Sequence, residues 1–174
     1  MTQLSSIKLL RPLFFLLVIG FTVFSCVNPP NYPDVPVIKY EGVNKIAVYQ
    51  GVNGLPSDTL EIFVSFTDGD GDLSFQDSSD IFLYDSRIPS RATKFRIPLI
   101  PVDGTGNGIR GELTVRTLSK PGNICCIQSG TACPDVSVVT NPVDTFSYEI
   151  QIKDRAGNYS NKVRTELITI LCKL

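Results

Sequence analysis

The chain of 174 residues contains no histidine and no tryptophan. Without histidine it lacks the commonest general base and the commonest zinc ligand, so most familiar hydrolase mechanisms have no starting point. Without tryptophan it lacks the ring best suited to stacking on sugars. Excess positive charge is missing as well: 16 basic side chains face 17 acidic ones, a net charge of −1. Nucleic-acid affinity comes largely from clustered Lys and Arg on phosphates, so this balance argues against a nucleic-acid partner. No amphipathic helical pattern of useful length occurs. What remains, 43% hydrophobic and 19% charged, is an ordinary globular composition of one-domain size.

The N-terminus reads as an address. Lys8 and Arg11 precede the apolar run Leu13–Phe24, with no acidic residue before Cys26. A membrane-spanning helix needs about 20 apolar residues, and Arg11 followed by Pro12 blocks extension toward the N-terminus, so the run reads as a secretory signal. It ends in Val23-Phe24-Ser25-Cys26, which resembles the lipobox of a bacterial lipoprotein. That resemblance implies cleavage after residue 25 and acylation of Cys26, with several chains exceeding the marginal hold of one. Loss of the leader leaves 149 residues with a charge of −3. Residues 26–36 then form a tether from the lipidated Cys26 through four prolines, a composition that favours an extended spacer. The domain is expected over residues 37–174.

Five cysteines in an exported chain leave one unpaired. With Cys26 lipidated, Cys125, Cys126, Cys133 and Cys172 make an even set. A bond between adjacent Cys125 and Cys126 is strained, so one of these two is expected to pair with Cys133 and the other with Cys172. A thiolate metal site is one rival, but the spacing is not Cys-x-x-Cys and the compartment is oxidising; free buried thiols are the other.

Hydrophobic alternation is the dominant signal in the mature chain. Leu60, Ile62, Val64 and Phe66 alternate with Glu61, Phe63 and Ser65, as do Phe146, Tyr148, Ile150 and Ile152 with Ser147, Glu149 and Gln151. Such period-two stretches are half-buried strands. Residues 35–40, 45–50, 81–84, 94–100, 112–117 and 163–171 are further strands, each bounded by Gly, Pro, Asn or Asp. Seven or eight short strands predict an all-β chain, an antiparallel immunoglobulin-like β-sandwich, with a small barrel as the alternative. Residues 124–139, with three cysteines, read as a disulfide-held irregular loop.

The first of these strands runs into Asp68-Gly69-Asp70-Gly71-Asp72, with Asp77 and Asp80 following. Alternating Asp and Gly allows a tight loop to aim carboxylates inward at a hard cation such as Ca²⁺. The first ligand positions resemble an EF-hand loop, but the twelfth would be Ser79 rather than a bidentate Glu. If the two alternating strands are the second and sixth of a sandwich, the loops after them lie at one end. Asp154 and Asn158 then join Asp68, Asp70 and Asp72 as candidate ligands of a structural Ca²⁺. The bland alternative is two solvated turns. No residue qualifies as catalytic, because no base or nucleophile stands beside the carboxylates. Downstream, Arg87, Arg91, Lys94 and Arg96 form a basic run that reads either as a solvated strand edge or internal partners of the Asp-rich loop, or as a patch for anionic lipid or an acidic partner surface.

Together the lipobox, Tyr32-Pro33-Asp34-Val35-Pro36-Val37-Ile38, Phe66-Thr67-Asp68-Gly69-Asp70-Gly71-Asp72-Leu73, Arg96-Ile97-Pro98-Leu99 and Asp154-Arg155-Ala156-Gly157-Asn158-Tyr159-Ser160-Asn161 resemble a group of small lipoproteins of the Bacteroidota. The resemblance implies an outer-membrane lipoprotein with an immunoglobulin-like domain, and it carries over no catalytic residue. An acidic tract often follows the lipidated Cys of surface-exposed lipoproteins in such bacteria. Residues 27–33 are uncharged here, which tilts the expectation toward the periplasmic leaflet. The function expected is a non-catalytic, lipid-anchored interaction module, an accessory subunit beside an outer-membrane β-barrel or its associated lipoproteins. The alternative is a calcium-dependent glycan- or peptide-binding lipoprotein.

Overall fold

The computed structural model describes residues 31–74, 80–100, 108–128, 130–134 and 139–172. The leader and Cys26 lie outside the described residues, as do Asp77 and Ser79. The chain is all-β: among the described residues there are twelve strands and no helix. In chain order they are β1 Val37–Val43, β2 Ala47–Tyr49, β3 Thr59–Asp68, β4 Ile81–Asp85, β5 Ala92–Phe95, β6 Ile109–Leu118, β7 Ile127–Gln128, β8 Thr131–Ala132, β9 Val143–Phe146, β10 Tyr148–Ile152, β11 Val163–Arg164 and β12 Ile168–Leu171.

One layer is the sheet β1-β3-β6, and the other is β11-β10-β4-β5. The second layer continues as β2-β12-β9, because the strand expected over 146–152 is divided into β9 and β10 and the one over 163–171 into β11 and β12. All pairings in the two layers are antiparallel except β2 with β12, which is parallel. This is the predicted sandwich, with more and shorter strands than the alternation implied. β7 and β8 form a two-residue hairpin inside the cysteine-rich segment expected to be irregular.

The divisions have a local cause. At Ser147 the backbone turns aside to Ser86: Ser147 N–H donates to Ser86 Oγ at 3.0 Å, and Ser86 N–H to Ser147 O at 2.9 Å. Thr165 Oγ1 accepts from Tyr148 N–H at 3.0 Å, so a side chain replaces a ladder bond where β11 gives way to β12. β5 stops at Phe95, short of the expected residue 100, and Pro98 beyond it has no N–H to continue a ladder.

The core joins both layers in one cluster: Leu60, Ile62, Val64 and Phe66 of β3 and Leu113 and Val115 of β6 meet Ile81 and Leu83 of β4, Ile150 and Ile152 of β10 and Ile168 and Ile170 of β12. Each such side chain contributes about 1.5–3 kcal/mol on full burial. The register fixes the poles. β3 pairs Asp68 with Ile109 and β1 pairs Val37 with Thr67, while β10 pairs Ile152 with Ile81. The loops after β3 and β10 therefore share one pole with the start of β1, and the cysteine-rich segment lies at the other. The compact unit begins at Asn31, so residues 31–36 of the expected tether pack with the sandwich.

Candidate metal centre

Asp68 is the last residue of β3 and continues the inward phase of Leu60, Ile62, Val64 and Phe66. The alternation that buries four apolar side chains thus buries a carboxyl, leaving Asp68 at 0% exposure. The chain turns sharply after it, and Asp72 N–H closes the turn by donating to Asp68 Oδ2 at 2.9 Å. Gly71 takes a left-handed φ of 71°, which glycine adopts at no steric cost.

Asp154 follows β10 at the same pole and is also buried. Its Oδ1 accepts from Asn158 N–H at 2.7 Å and its Oδ2 from Asn158 Nδ2 at 2.9 Å. The two loops are laced together: Arg155 N–H donates to Asp72 O at 3.2 Å, and Ala156 N–H to Asp72 Oδ2 at 3.1 Å. One carboxylate oxygen each from Asp68, Asp72 and Asp154 lies within 4.8 Å of the others. Oxygens bound to one Ca²⁺ at about 2.3–2.6 Å can be no more than about 5 Å apart, so the spacing suits a single ion.

No close ion pair among the described residues neutralises this cluster, and Arg155 offsets the charge of Asp72 only at longer range. Among the described residues the ion pairs are made by Lys39, Lys45, Arg87, Arg116, Lys162 and Arg164, and none involves Asp68, Asp72 or Asp154. Arg155 turns its Nε to Ser74 O instead. Asp68 Oδ1 and Asp72 Oδ1 are buried without a hydrogen-bond partner. Burial, reinforced by the charge of Asp70, pushes the Asp68 carboxyl up to about 7. Asp72 is raised by burial and by Asp154 and Asp70, against the Ala156 N–H and the Arg155 charge that favour its ionised form. Such a cluster either holds a proton or holds a cation.

Of the expected ligand set, the structure brings together Asp68, Asp72 and Asp154. Asp70 is exposed and outside the group of three. Asn158 directs N–H groups at Asp154, so it orients that carboxylate rather than adding an oxygen of its own to it. Asp80 is buried at the start of β4, its backbone bonded to Phe95 and Lys153.

The opposite pole resolves the cysteine pairing: Cys125 bonds Cys133 and Cys126 bonds Cys172, with Cα separations of 5.0 and 5.9 Å. The basic run does not form one surface. Arg87 is committed internally, its Nε and Nη2 on Asp85 at 3.0 and 2.6 Å and its Nη1 on Asp144 at 2.5 Å, so it is withdrawn from the candidate partner patch. Lys94 lies over the Phe82 ring on the outer face of the four-stranded sheet, while Arg91 and Arg96 are exposed. The internal acids that Arg87 meets are Asp85 and Asp144, not the Asp-rich loop; Asp144 is 57 residues away in sequence.

Comparison with protein-family models, with curated proteins and with solved structures finds no match.

Proposed function

We propose that the protein is a lipid-tethered, non-catalytic interaction module of the outer membrane, its sandwich stapled by one Ca²⁺ at Asp68, Asp72 and Asp154. The observation that carries the cation is Asp68 Oδ1, a fully buried oxygen without a hydrogen-bond partner, on a carboxylate grouped with two others. Burying a charged oxygen is costly unless something pairs with it. A structural role fits better than a hydrolytic one. A glycosidase opposes two acids about 5–9 Å apart across a cleft, whereas here three carboxyls crowd one point between laced loops. The accessory-subunit role at a β-barrel, on the periplasmic leaflet, rests on the lipobox and the uncharged start of the tether. Two disulfides absorb four cysteines and leave Cys26 for the anchor.

Melting the protein in calcium and in chelator tests the staple. An ion that binds only the folded state stabilises by mass action, about 2.7 kcal/mol at one hundred times Kd. In chelator, stability should fall as pH rises. The folded Asp68 titrates at about 7 and the unfolded one near 3.8, so the extra proton stabilises fully below about pH 4 and is lost through pH 7. Calcium should abolish that slope, and Asp68→Asn should remove both responses. Equal melting temperatures at pH 8 with and without calcium would sink the staple.

Acyl labelling tests the anchor. Cys26→Ser should carry no label and should leave the membrane fraction. Label retained on that variant would overturn the assignment.

A further inference from the structure

We propose that occupancy of the cation site seats the segment Tyr32–Pro33 on the sandwich, so that the cation sets how much free chain separates the anchor from the domain. This rests on the cation reading above and adds a consequence at the adjoining backbone. Gly69, the residue after Asp68, donates its N–H to Pro33 O at 2.8 Å. The approach is so close that a Cβ on Gly69 would lie 2.4 Å from Tyr32 O and 2.7 Å from Pro33 C. On the other side, a Cβ on Gly108 would lie 2.8 Å from Asp68 O and 3.0 Å from Tyr32 Cδ2. Tyr32 and Pro33 thus rest on backbone that brackets Asp68 itself.

Little else holds this segment. The bond to Gly69 is the one backbone hydrogen bond tying residues 31–36 among the described residues, and Asn31, Pro33, Asp34 and Val35 are exposed. The next anchorage is firm. Pro36 is buried, and Asn161 grips Ile38 through Ile38 N–H to Asn161 Oδ1 and Asn161 Nδ2 to Ile38 O, both 2.8 Å. Three carboxylates within reach of one another repel when no cation joins them, and the strain acts on the turn that begins at Asp68. Displacing Gly69 breaks the Pro33 bond and frees the chain back to Pro36. At about 3.3–3.6 Å per extended residue, release of the four residues 32–35 adds up to about 14 Å of chain before the firm anchorage at Pro36.

The chain has no tryptophan, so Tyr32→Trp in the full-length acylated protein provides a single indole reporter. Calcium itself is the probe, and its binding is measured separately by calorimetry on the same sample. The expected result is an indole quenched by acrylamide at least threefold more readily in chelator than in calcium, with a midpoint matching the calorimetric one. Gly69→Ala combined with Tyr32→Trp should quench readily even when calcium is bound, because the added methyl occupies the seat. Calcium binding with unchanged quenching would overturn the seating and leave the cation site standing. Absence of calorimetric binding would overturn both.

Discussion

Arg87→Ala should lower the unfolding free energy by about 2–4 kcal/mol, somewhat below the about 3–5 kcal/mol expected when a fully buried pair loses one partner. The guanidinium closes the pole opposite the acidic cluster. It grips Asp85 at the end of β4 with two nitrogens, Asp144 in β9 with a third, and Cys125 O at 3.0 Å in the disulfide loop. Its Cζ lies 4.6 Å from the centre of the Phe146 ring, and the side chains of Arg87, Asp85 and Asp144 are 15%, 15% and 19% exposed. Burial disfavours the charge, but the two carboxylates outweigh it and hold the arginine above its usual pKa. Removing the cation leaves two carboxylates without their shared partner in a largely buried site and takes from Cys125 O the bond the guanidinium gives it. Arg87→Lys should recover less than half of the loss, since an ammonium cannot reproduce the fork. Arg116→Ala provides the contrast: its bond to Glu61 is on the surface, with the arginine side chain 71% exposed, and the loss should stay under about 1 kcal/mol and vanish in high salt. Urea unfolding of the three variants decides the matter, and a loss under 1 kcal/mol for Arg87→Ala would refute the account.

The importance of Arg87 was not legible in the sequence, for a reason that also marks what was. Local alternation reports which face of a strand is buried, and Leu60, Ile62, Val64 and Phe66 define the inward face of β3 without help from the rest of the chain. The same phase extended by two residues places Asp68 inward, so its burial could have been read from that pattern alone. Asp70 is in the same phase, but the chain leaves the strand at Asp68 and Asp70 turns outward. Convergence of the loops after β3 and β10 followed from treating them as second and sixth strands of a sandwich. By contrast, although Asp85 lies two residues from Arg87, the second acid that buries it, Asp144, lies in β9, and only that contact across the fold sets Arg87 apart from a solvated patch. The breaks at Ser147 and Thr165 are of the same kind, since Ser86 and Tyr148 are their long-range partners. Cysteine parity together with the strain of a bond between adjacent Cys125 and Cys126 limited the pairing to two alternatives. Choosing between them required the geometry that sets Cys126 beside the end of β12.

Replacing both Cys126 and Cys172 by Ala should cost about 4 kcal/mol, the largest single loss expected in the domain. The bond closes a loop with a sequence separation of 46, and on the chain-entropy account such a cross-link removes about 4 kcal/mol of freedom from the unfolded chain. Cys125–Cys133, with a separation of 8, is worth about 2.5 kcal/mol on the same scale. Native packing adds to the difference. Cys126 and Cys172 are buried in the core cluster, and Cys126 N–H donates to Gln50 Oε1 at 2.9 Å while Gln50 Nε2 donates to Pro134 O at 2.9 Å. The longer bond therefore fixes β12 to the segment that also receives Gln50 from the end of β2. β2 and β12 form the parallel pair, which has no tight turn to hold its register. Without the cross-link, β12 and then β2 should fray first, visible as faster amide exchange at Val48 and Ile170 than at Ile62 or Val115. Replacing Cys125 and Cys133 should instead spare those amides and loosen the carbonyl that Arg87 holds, so this loss should add less than fully to that of Arg87→Ala. Equal protection at Val48 and Val115 in the Cys126/Cys172 variant would show that the strand pairing, and not the disulfide, sets the stability of this edge.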